Sequence, residues 1–357
     1  VFTQNAFCAA PVTVARQHLT QTPRWLLCNS GNANAGTGPR GMSDALSSCE
    51  AAAEVLGGQM HQVLPYSTGV IGEPLPLAKL VAALPAAAAN LDEQHWDRAA
   101  RAIMTTDTFP KGASERFEIA GESVVITGIS KGAGMIQPNM ATMLGFLATD
   151  AKISQALLQS SLSQAVEKSF NRITVDGDTS TNDACTLLAS GASAAPLIQL
   201  GTPEYDVFAA ALDRVCKRLA ELIVRDGEGA TKLMRIVVEQ ASNSEEAVQV
   251  AKTIAHSPLV KTAFFASDPN WGRILAAVGR AGVINMDLDV IEIFLGEVCI
   301  VRNGGRAETY TEAAGQQVMN QAEITITVRL GRGSAIEEVL TCDFSYDYVK
   351  INAEYRT

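Results

Sequence analysis

The sequence lacks the residue patterns on which most metal-dependent and cysteine- or histidine-based enzymes are built. It has only four histidines, and none of them lies in a nucleophile or HExxH motif: His18, His61, His95 and His256. Its seven cysteines are scattered singly, without a CxxC pair. We therefore expect no metal site, and we expect the cysteines to be buried or free thiols in a reducing compartment.

The chain also lacks a long apolar run and an excess of positive charge. The stretch that comes nearest to a membrane span, Leu80–Ala89, is much shorter than the roughly 18 residues required and contains Pro85. The formal net charge of −10 disfavours nucleic acid and anionic membranes as partners. These features exclude the nucleic-acid-binding and membrane-spanning classes from the expected functions.

What is present is the composition of a globular protein. The 357 residues are 47% hydrophobic and 18% charged, and their number suggests about two domains with a large core. Strand-like and helix-like segments alternate, which predicts the α/β class. Trp25–Cys28 and the β-branched run Val124–Thr127 are typical of strands, whereas Ile153–Phe170 and Val207–Ile223 repeat apolar residues at helical spacing.

The texture of the sequence changes near residue 233, where we place a soft domain boundary. A strand is predicted at Leu233–Glu239, followed by a helix up to Ala255 that begins with a capping box, Ser242 to Glu245. A hairpin is predicted to turn at Gly296-Glu297, and the alternation from Ile324 to Leu330 is typical of a half-buried strand.

The most informative segment is residues 131–151, KGAGMIQPNMATMLGFLATDA. A glycine-rich turn precedes the pair Ala141-Thr142, and an apolar run follows it. An isolated Ala-Thr pair would ordinarily be an incidental turn, but about twenty residues here match one pattern. The segment closely resembles the self-cleavage site of the ornithine acetyltransferases of arginine biosynthesis. The resemblance implies that the chain cuts itself between Ala141 and Thr142, and that Thr142 then becomes the catalytic nucleophile.

Elementary chemistry is compatible with that role for Thr142. A threonine hydroxyl is a weak nucleophile and needs a base. After cleavage, the new α-amino group of Thr142 would titrate at about 7.7–8.0, close to a neutral working pH and far below lysine at about 10.4. The four histidines remain alternatives for the base, because they could lie near Thr142 in space.

Two further segments of the amino-terminal half match the same family. YSTGVIG, residues 66–72, resembles the oxyanion-hole segment, which implies that Thr68 and Gly69 stabilise the developing negative charge; removing one such donor typically costs about 2.7–4 kcal/mol. TTDT, residues 105–108, and Lys131 match substrate-contacting positions. The register leaves Thr105 and Thr106 as alternatives, and Thr105 is preferred.

The carboxyl-terminal half carries the remaining matches. Glu228, in the loop DGEGATK, matches a substrate-binding glutamate that would pair with a cationic amino group. The tail VKINAEYRT matches the end of the family's sequence, which implies substrate-binding roles for Asn352 and Thr357 and a tail that is tied down. The segments 174–183 and 267–273 also match and are interpreted as site-shaping or structural.

The resemblance covers essentially the whole chain and implies a fold, a division and an assembly. The implied fold is a layered α/β sandwich of the self-processing N-terminal-nucleophile-like type with a second, smaller α/β domain. The implied division is a main domain, 1–232, a smaller domain, 233–345, and a tail, 346–357, that returns to the active site. The implied assembly is a heterotetramer of two α and two β chains. Relative to the family, some tens of N-terminal residues are expected to be missing.

The implied reaction is acetyl transfer from N-acetylornithine to glutamate through acetyl-Thr142, without a metal or redox cofactor. A cytoplasmic location is expected, or the mitochondrial matrix in a eukaryote. Two rival functions stay open: a hydrolase with the same nucleophile, which would release acetate without glutamate, and an uncleaved binding protein. Whether acetyl-CoA serves as a second acetyl donor is also left open.

Overall fold

The computed structural model describes residues 1–137 and 143–355, and these group into two compact units. The first unit contains residues 1–171 and 178–223, and the second contains residues 172–177 and 224–355. The packing boundary lies at Val224, in the last turn of the helix that ends at Arg225 and before the predicted boundary near 233, and the loop after this helix is bonded into the second unit. Thr231 and Lys232 donate their backbone N–H groups to Asp343 Oδ1 at 2.8 and 2.9 Å. The predicted functional division into 1–232, 233–345 and 346–357 stays a prediction.

Within its described residues, the first unit has a two-stranded and a four-stranded sheet. Strands β1 (Trp25–Asn32) and β2 (Val63–Val70) pair in parallel. In the second sheet β3, β4 and β5 are antiparallel neighbours and β6 runs parallel to β5. These strands are β3 (Lys111–Ile119), β4 (Glu122–Lys131), β5 (Leu144–Thr149) and β6 (Ala184–Ala189). The helices are α1 (Ala10–His18), α2 (Gly38–Leu56), α3 (Leu77–Ala89), α4 (Trp96–Ala102), α5 (Gln155–Glu167) and α6 (Pro203–Arg225).

One apolar cluster places β2 against the four-stranded sheet. The edge of the Tyr66 ring packs on Phe146 of β5, with centroids 4.9 Å apart, and the Tyr66 hydroxyl lies 2.7 Å from Thr186 Oγ1 of β6. Leu64 belongs to the same buried cluster. Because alternate residues of a strand share a face, Leu64, Tyr66 and Thr68 project to the same side of β2. The apolar pattern of β2 thereby carries Thr68 towards the four-stranded sheet.

The second unit is built on a six-stranded sheet with the order β10-β9-β8-β11-β7-β12. Its strands are β7 (Leu233–Ala241), β8 (Glu292–Leu295), β9 (Val298–Arg302), β10 (Gly305–Arg306), β11 (Glu323–Arg329) and β12 (Ala335–Cys342). Its helices are α7 (Ser244–Ala255), α8 (Pro258–Phe265), α9 (Trp271–Gly279), α10 (Glu312–Met319) and α11 (Tyr346–Glu354). Short 3-10 helices lie at Met60–Gln62, Phe170–Arg172 and Leu288–Val290. Helix α7 packs on β7 and β12 over the main apolar core of this unit.

Most of the predicted elements are confirmed, and one cap is corrected. The alternation from Ile324 produces strand β11, in which every second residue is buried, and β8 and β9 form the predicted hairpin. The N-cap of α7 lies one residue later than predicted, and the reciprocal bond of a capping box is replaced by a bond to the residue before the cap. Asn243 is the N-cap and accepts from the Glu246 N–H at 2.9 Å, while Glu246 Oε1 accepts from the Ser242 N–H at 3.0 Å. Asn is at least as good an N-cap as Ser, which explains the shift.

Four bulk properties can be read from the described residues. The seven cysteines are free thiols, as predicted. No described helix is both long and apolar enough to cross a bilayer. In the same part of the chain, no cluster of three or more His, Cys, Asp or Glu side chains is arranged to hold a metal ion. The mixed α/β class is the one the sequence predicts.

Candidate active site

Three of the predicted site residues, Ala141, Thr142 and Thr357, lie outside the described residues. The chain is described again from Met143, which is buried and whose carbonyl accepts from the Ala184 N–H at 2.9 Å. Leu144 then begins β5 directly opposite Lys131 of β4. The strand register therefore aligns Lys131 with the residue two positions after Thr142.

Thr68 and Gly69 lie at the end of β2, where that strand passes very close to β1. Gly69 has φ +127°, a conformation that favours glycine. A Cβ atom placed on it would be 2.3 Å from the carbonyl carbon of Gly31 and 2.6 Å from the backbone nitrogen of Asn32. Only glycine allows this approach of the two backbones. Gly69 directly follows Thr68 in the sequence, so its N–H group belongs to the peptide next to the Thr68 side chain.

Lys131, at the end of β4, is buried and reaches the Thr68 side chain. Its Nζ donates to Thr68 Oγ1 at 3.2 Å. An ammonium group can only donate, so the Thr68 oxygen accepts and its own hydrogen stays available for another acceptor. The contact therefore orients Thr68 as a hydrogen-bond donor, which is what an oxyanion hole requires.

Asp107 lies beside these groups and connects several segments. Its Oδ1 accepts from Lys111 Nζ at 2.5 Å and from the Gly132 N–H at 2.7 Å. Its Oδ2 accepts from the Thr105 N–H at 3.0 Å. Thr105 is thus held in the same network as the glycine-rich turn, whereas the choice between Thr105 and Thr106 as the substrate contact stays a prediction.

The buried charges of this region shift one another's pKa values. Burial acts to raise the pKa of Asp107, but Lys131, Lys111 and the Gly132 N–H outweigh it and hold that pKa below its usual range. Burial lowers the pKa of Lys131, and the carboxyl groups of Asp107 and Asp183 oppose that change. Lys131 therefore depends on its acidic neighbours to remain charged.

The same burial shifts the pKa values of two neighbouring groups. Burial raises the pKa of Asp183 well above its usual range, against the opposing effects of Ser180 and Lys131. Asp183 Oδ2 has no hydrogen-bond partner among the described residues. Burial also raises the pKa of Cys28, near Lys131, to about 12, so that Cys28 is a thiol and not a thiolate nucleophile at neutral pH.

In the second unit, the predicted residues Glu228 and Asn352 are in direct contact. Asn352 Nδ2, on α11, donates to Glu228 Oε2 at 2.8 Å and to the Tyr348 carbonyl at 3.0 Å. Ser345 Oγ donates to the Gly229 carbonyl at 2.6 Å, and Ser345 also caps α11. These bonds attach the glycine-flanked loop to the helix and hold the buried Glu228 carboxylate in place.

Sequence reasoning named Thr68, Gly69 and Lys131, whereas Asp107 and Asp183 entered only as members of the matched segments 105–108 and 174–183, without an individual role. The available signal for Asp107 was its spacing of four from Lys111, yet such pairs are usually exposed on helices. This pair is fully buried. For Asp183, the signal was its place at the end of the matched segment 174–183, just before the strand that pairs with β5.

The fold is of the mixed α/β class, and its buried lysine, threonine hydroxyl and close-packed glycine are groups that suit acyl-transfer chemistry. The model of the ArgJ family matches residues 1–357. The chain is 66% identical to the arginine biosynthesis bifunctional protein ArgJ of Methylococcus capsulatus and 57% identical to that of Pseudomonas fluorescens, covering all of this chain and 88% of each relative. The chain belongs to the ArgJ family, which confirms the predicted resemblance.

A solved relative agrees with the fold. The crystal structure of the arginine biosynthesis bifunctional protein ArgJ from Bacillus halodurans matches with a TM-score of 0.55 and 40% identity. The match covers 58% of this chain and 96% of that one. The protein is thus a transferase of arginine biosynthesis, as the sequence predicts.

Proposed function

We propose that the protein cuts itself between Ala141 and Thr142 and then transfers an acetyl group from N-acetylornithine to glutamate through acetyl-Thr142. The observation that carries this proposal is the Lys131–Thr68 contact, which leaves the Thr68 hydroxyl hydrogen free for a developing oxyanion. Lys131 lies opposite Leu144, and Thr142 is bonded to the residue before Leu144. The first residue of β5, two positions after the proposed nucleophile, therefore pairs with the lysine that contacts the donor Thr68.

In the first half-reaction, Thr142 Oγ attacks the acetyl carbonyl carbon while the α-amine of Thr142 takes the hydroxyl proton. The Thr68 hydroxyl and the Gly69 N–H stabilise the resulting oxyanion. The carbon–nitrogen bond then breaks, and the α-ammonium returns the proton to the leaving ornithine amine. The enzyme is left with an acetyl ester on Thr142.

In the second half-reaction, the amine of glutamate attacks the acetyl ester. The bond to Thr142 Oγ breaks, the proton of the glutamate amine passes through the α-amine back to Thr142 Oγ, and N-acetylglutamate leaves. Thr105, Lys131, Glu228, Asn352 and Thr357 are proposed to bind the amino-acid substrates. The buried Glu228 carboxylate suits a cationic amino group. No metal or redox step is required.

The length of the solved relative supports the cut. Since 96% of the Bacillus halodurans chain corresponds to only 58% of this chain, that polypeptide is much shorter than 357 residues. Residues 142–357 number 216 and make up a similar share of this chain. The self-processing N-terminal-nucleophile-like sandwich, the heterotetramer of two α and two β chains and the cytoplasmic location belong to the same proposal. The word "bifunctional" in the relatives' names is compatible with acetyl-CoA as a second donor.

A denaturing gel and initial rates test the proposal. The purified protein should give fragments of 141 and 216 residues, and Thr142→Ala should give one uncut band and no transfer. Rates measured at several glutamate concentrations should give parallel double-reciprocal lines, as expected for two half-reactions. Two fragments from Thr142→Ala would contradict self-cleavage by Thr142, and acetate release without glutamate would favour the hydrolase.

A further inference from the structure

Asp107 is a buried carboxylate that the proposed acetyl transfer leaves without a role. It accepts hydrogen bonds from Lys111 Nζ, the Gly132 N–H and the Thr105 N–H, at 2.5, 2.7 and 3.0 Å. It is 8% exposed, so water does not screen these contacts. One side chain thus joins the loop of Thr105, the start of β3 and the glycine-rich turn.

Two of these contacts, and the charge of Asp107 itself, act on residues that the transfer uses or on their direct neighbours. The bond to Gly132 fixes the residue that follows Lys131, where the chain leaves β4 with φ +146°. The bond to Thr105 fixes a residue expected to contact substrate. The negative charge also faces Lys131, for which Asp107 is the strongest opposing charge against burial.

We propose that Asp107 is a positioning residue for the acetyl transfer, which fixes the backbone at Thr105 and Gly132 and keeps the Lys131 ammonium aimed at Thr68. The proposal rests on the proposed function, since it explains how the Thr68 hydroxyl is kept oriented. Asp107 itself takes no proton and touches no reacting atom.

The competing explanation is that Asp107 and Lys111 are only a buried ion pair of the fold. The two explanations differ in a measurable way. Replacing both members of a buried pair by neutral groups is often harmless to stability, whereas removing one member is costly. If the role is purely structural, transfer activity should fall and recover together with stability. If Asp107 positions the site, activity should stay low even when stability recovers.

The experiment compares Asp107→Asn, Lys111→Met and the double variant with Asp150→Asn as a matched control. Asp150 accepts the Val125 N–H at 2.9 Å towards the other end of β4 and lies outside the site. Only protein that is cleaved on a denaturing gel is assayed, and thermal unfolding is recorded for each variant. Asp107→Asn should lower both the unfolding midpoint and kcat, kcat by about tenfold or more, the size expected for a lost charged hydrogen bond.

The double variant decides between the explanations. It should regain much of the unfolding midpoint and still show the loss in kcat, whereas Lys111→Met should retain transfer within a few-fold. Asp150→Asn should transfer like the unsubstituted protein. Recovery of transfer by the double variant, or an equal loss in Lys111→Met and Asp107→Asn, would overturn the proposal while leaving transfer by the unsubstituted protein intact.

The pH profile supplies a readout that a structural role would not move. The titratable groups facing Lys131 are Asp107, Asp183, Lys111 and Cys28. Without the Asp107 charge the pKa of Lys131 falls. When the pH is raised, Lys131 therefore loses its proton at a lower pH than in the unsubstituted protein, and transfer activity is lost with it. The alkaline limb of kcat should therefore move to lower pH in Asp107→Asn and in the double variant. An unmoved limb would contradict the proposal.

Discussion

At the scale of single residues, the candidate site depends on two glycines of one motif that have different tasks. Gly69 and Gly72 both have positive φ, +127° and +83°. A Cβ atom on Gly69 would collide with the backbone of Gly31 and Asn32, whereas a Cβ atom on Gly72 would meet nothing within 4 Å. Gly72 therefore needs only conformational freedom, and Gly69 also needs empty space.

The pair Gly69→Ala and Gly72→Ala tests this distinction. Gly72→Ala should cost about 1–2 kcal/mol of stability, the usual strain of a side chain at positive φ, and should keep its transfer rate. Gly69→Ala must push β2 away from β1, so kcat/KM should fall by more than about tenfold, as for a lost oxyanion donor. Thermal unfolding and initial rates measure both effects. Equal transfer by the two variants would remove Gly69 from the proposed oxyanion hole.

The individual site residues could be named from the sequence only where a matched motif contained them. Thr68 and Lys131 are 63 positions apart, and their contact depends on the packing of β2 on the four-stranded sheet. No local pattern encodes such a contact. Asp107 lies inside the matched segment 105–108, but its bond to Gly132 spans 25 positions, so this contact could not be read from the sequence.

At the scale of elements, the predicted substrate-binding residues of the second unit lie on a loop and on the helix bonded to it. A Cβ atom on Gly229 would lie 2.5 Å from the Tyr348 backbone nitrogen, so the loop can approach α11 this closely only with glycine there. Asn352, one turn further on, holds Glu228. The sequence predicted a tied-down tail but not its helix, because the tail has little helical periodicity. The Ser345 cap and the contact between Asn352 and Glu228 stabilise this helix.

The variant Glu228→Gln removes the negative charge of this side chain and keeps its size and its hydrogen bond to Asn352. The amide can still accept the Asn352 hydrogen bond but cannot pair with a cationic amino group. The KM for N-acetylornithine should rise by about tenfold or more, since a charged hydrogen bond contributes about 1.5–3 kcal/mol, and self-cleavage should persist. Glu354→Gln, an exposed change of the same charge on α11, is the control. Equal KM values for the two variants would show that Glu228 does not bind the substrate.

Strand patterns were the most reliable predictors among the elements. The alternation in β11 predicts the strand and also which of its side chains face the core, because a shift of one residue would expose its apolar side chains. The cap of α7 was placed one residue early because Ser242 and Asn243 are both acceptable caps. Local propensity does not choose between two such neighbours, whereas the position of Glu246 does.

At the scale of the whole molecule, the sequence determines the class and the family more firmly than the boundaries of the units. The family match extends over residues 1–357, and the α/β alternation is visible throughout. The packing boundary at Val224 was not predictable, because the change of texture near 233 marks the start of β7. The bonds from Thr231 and Lys232 to Asp343, which attach the preceding loop to the second unit, span more than 100 positions.

The central claim is that the acetyl group rests on Thr142 between the two half-reactions. The most direct measurement is mass spectrometry of the cleaved protein after incubation with N-acetylornithine in the absence of glutamate. The account predicts one acetyl group on the fragment 142–357, at Thr142, and its disappearance as N-acetylglutamate forms when glutamate is added. An unmodified Thr142 in an enzyme that transfers acetyl, or an acetyl group on another residue that glutamate removes, would contradict it.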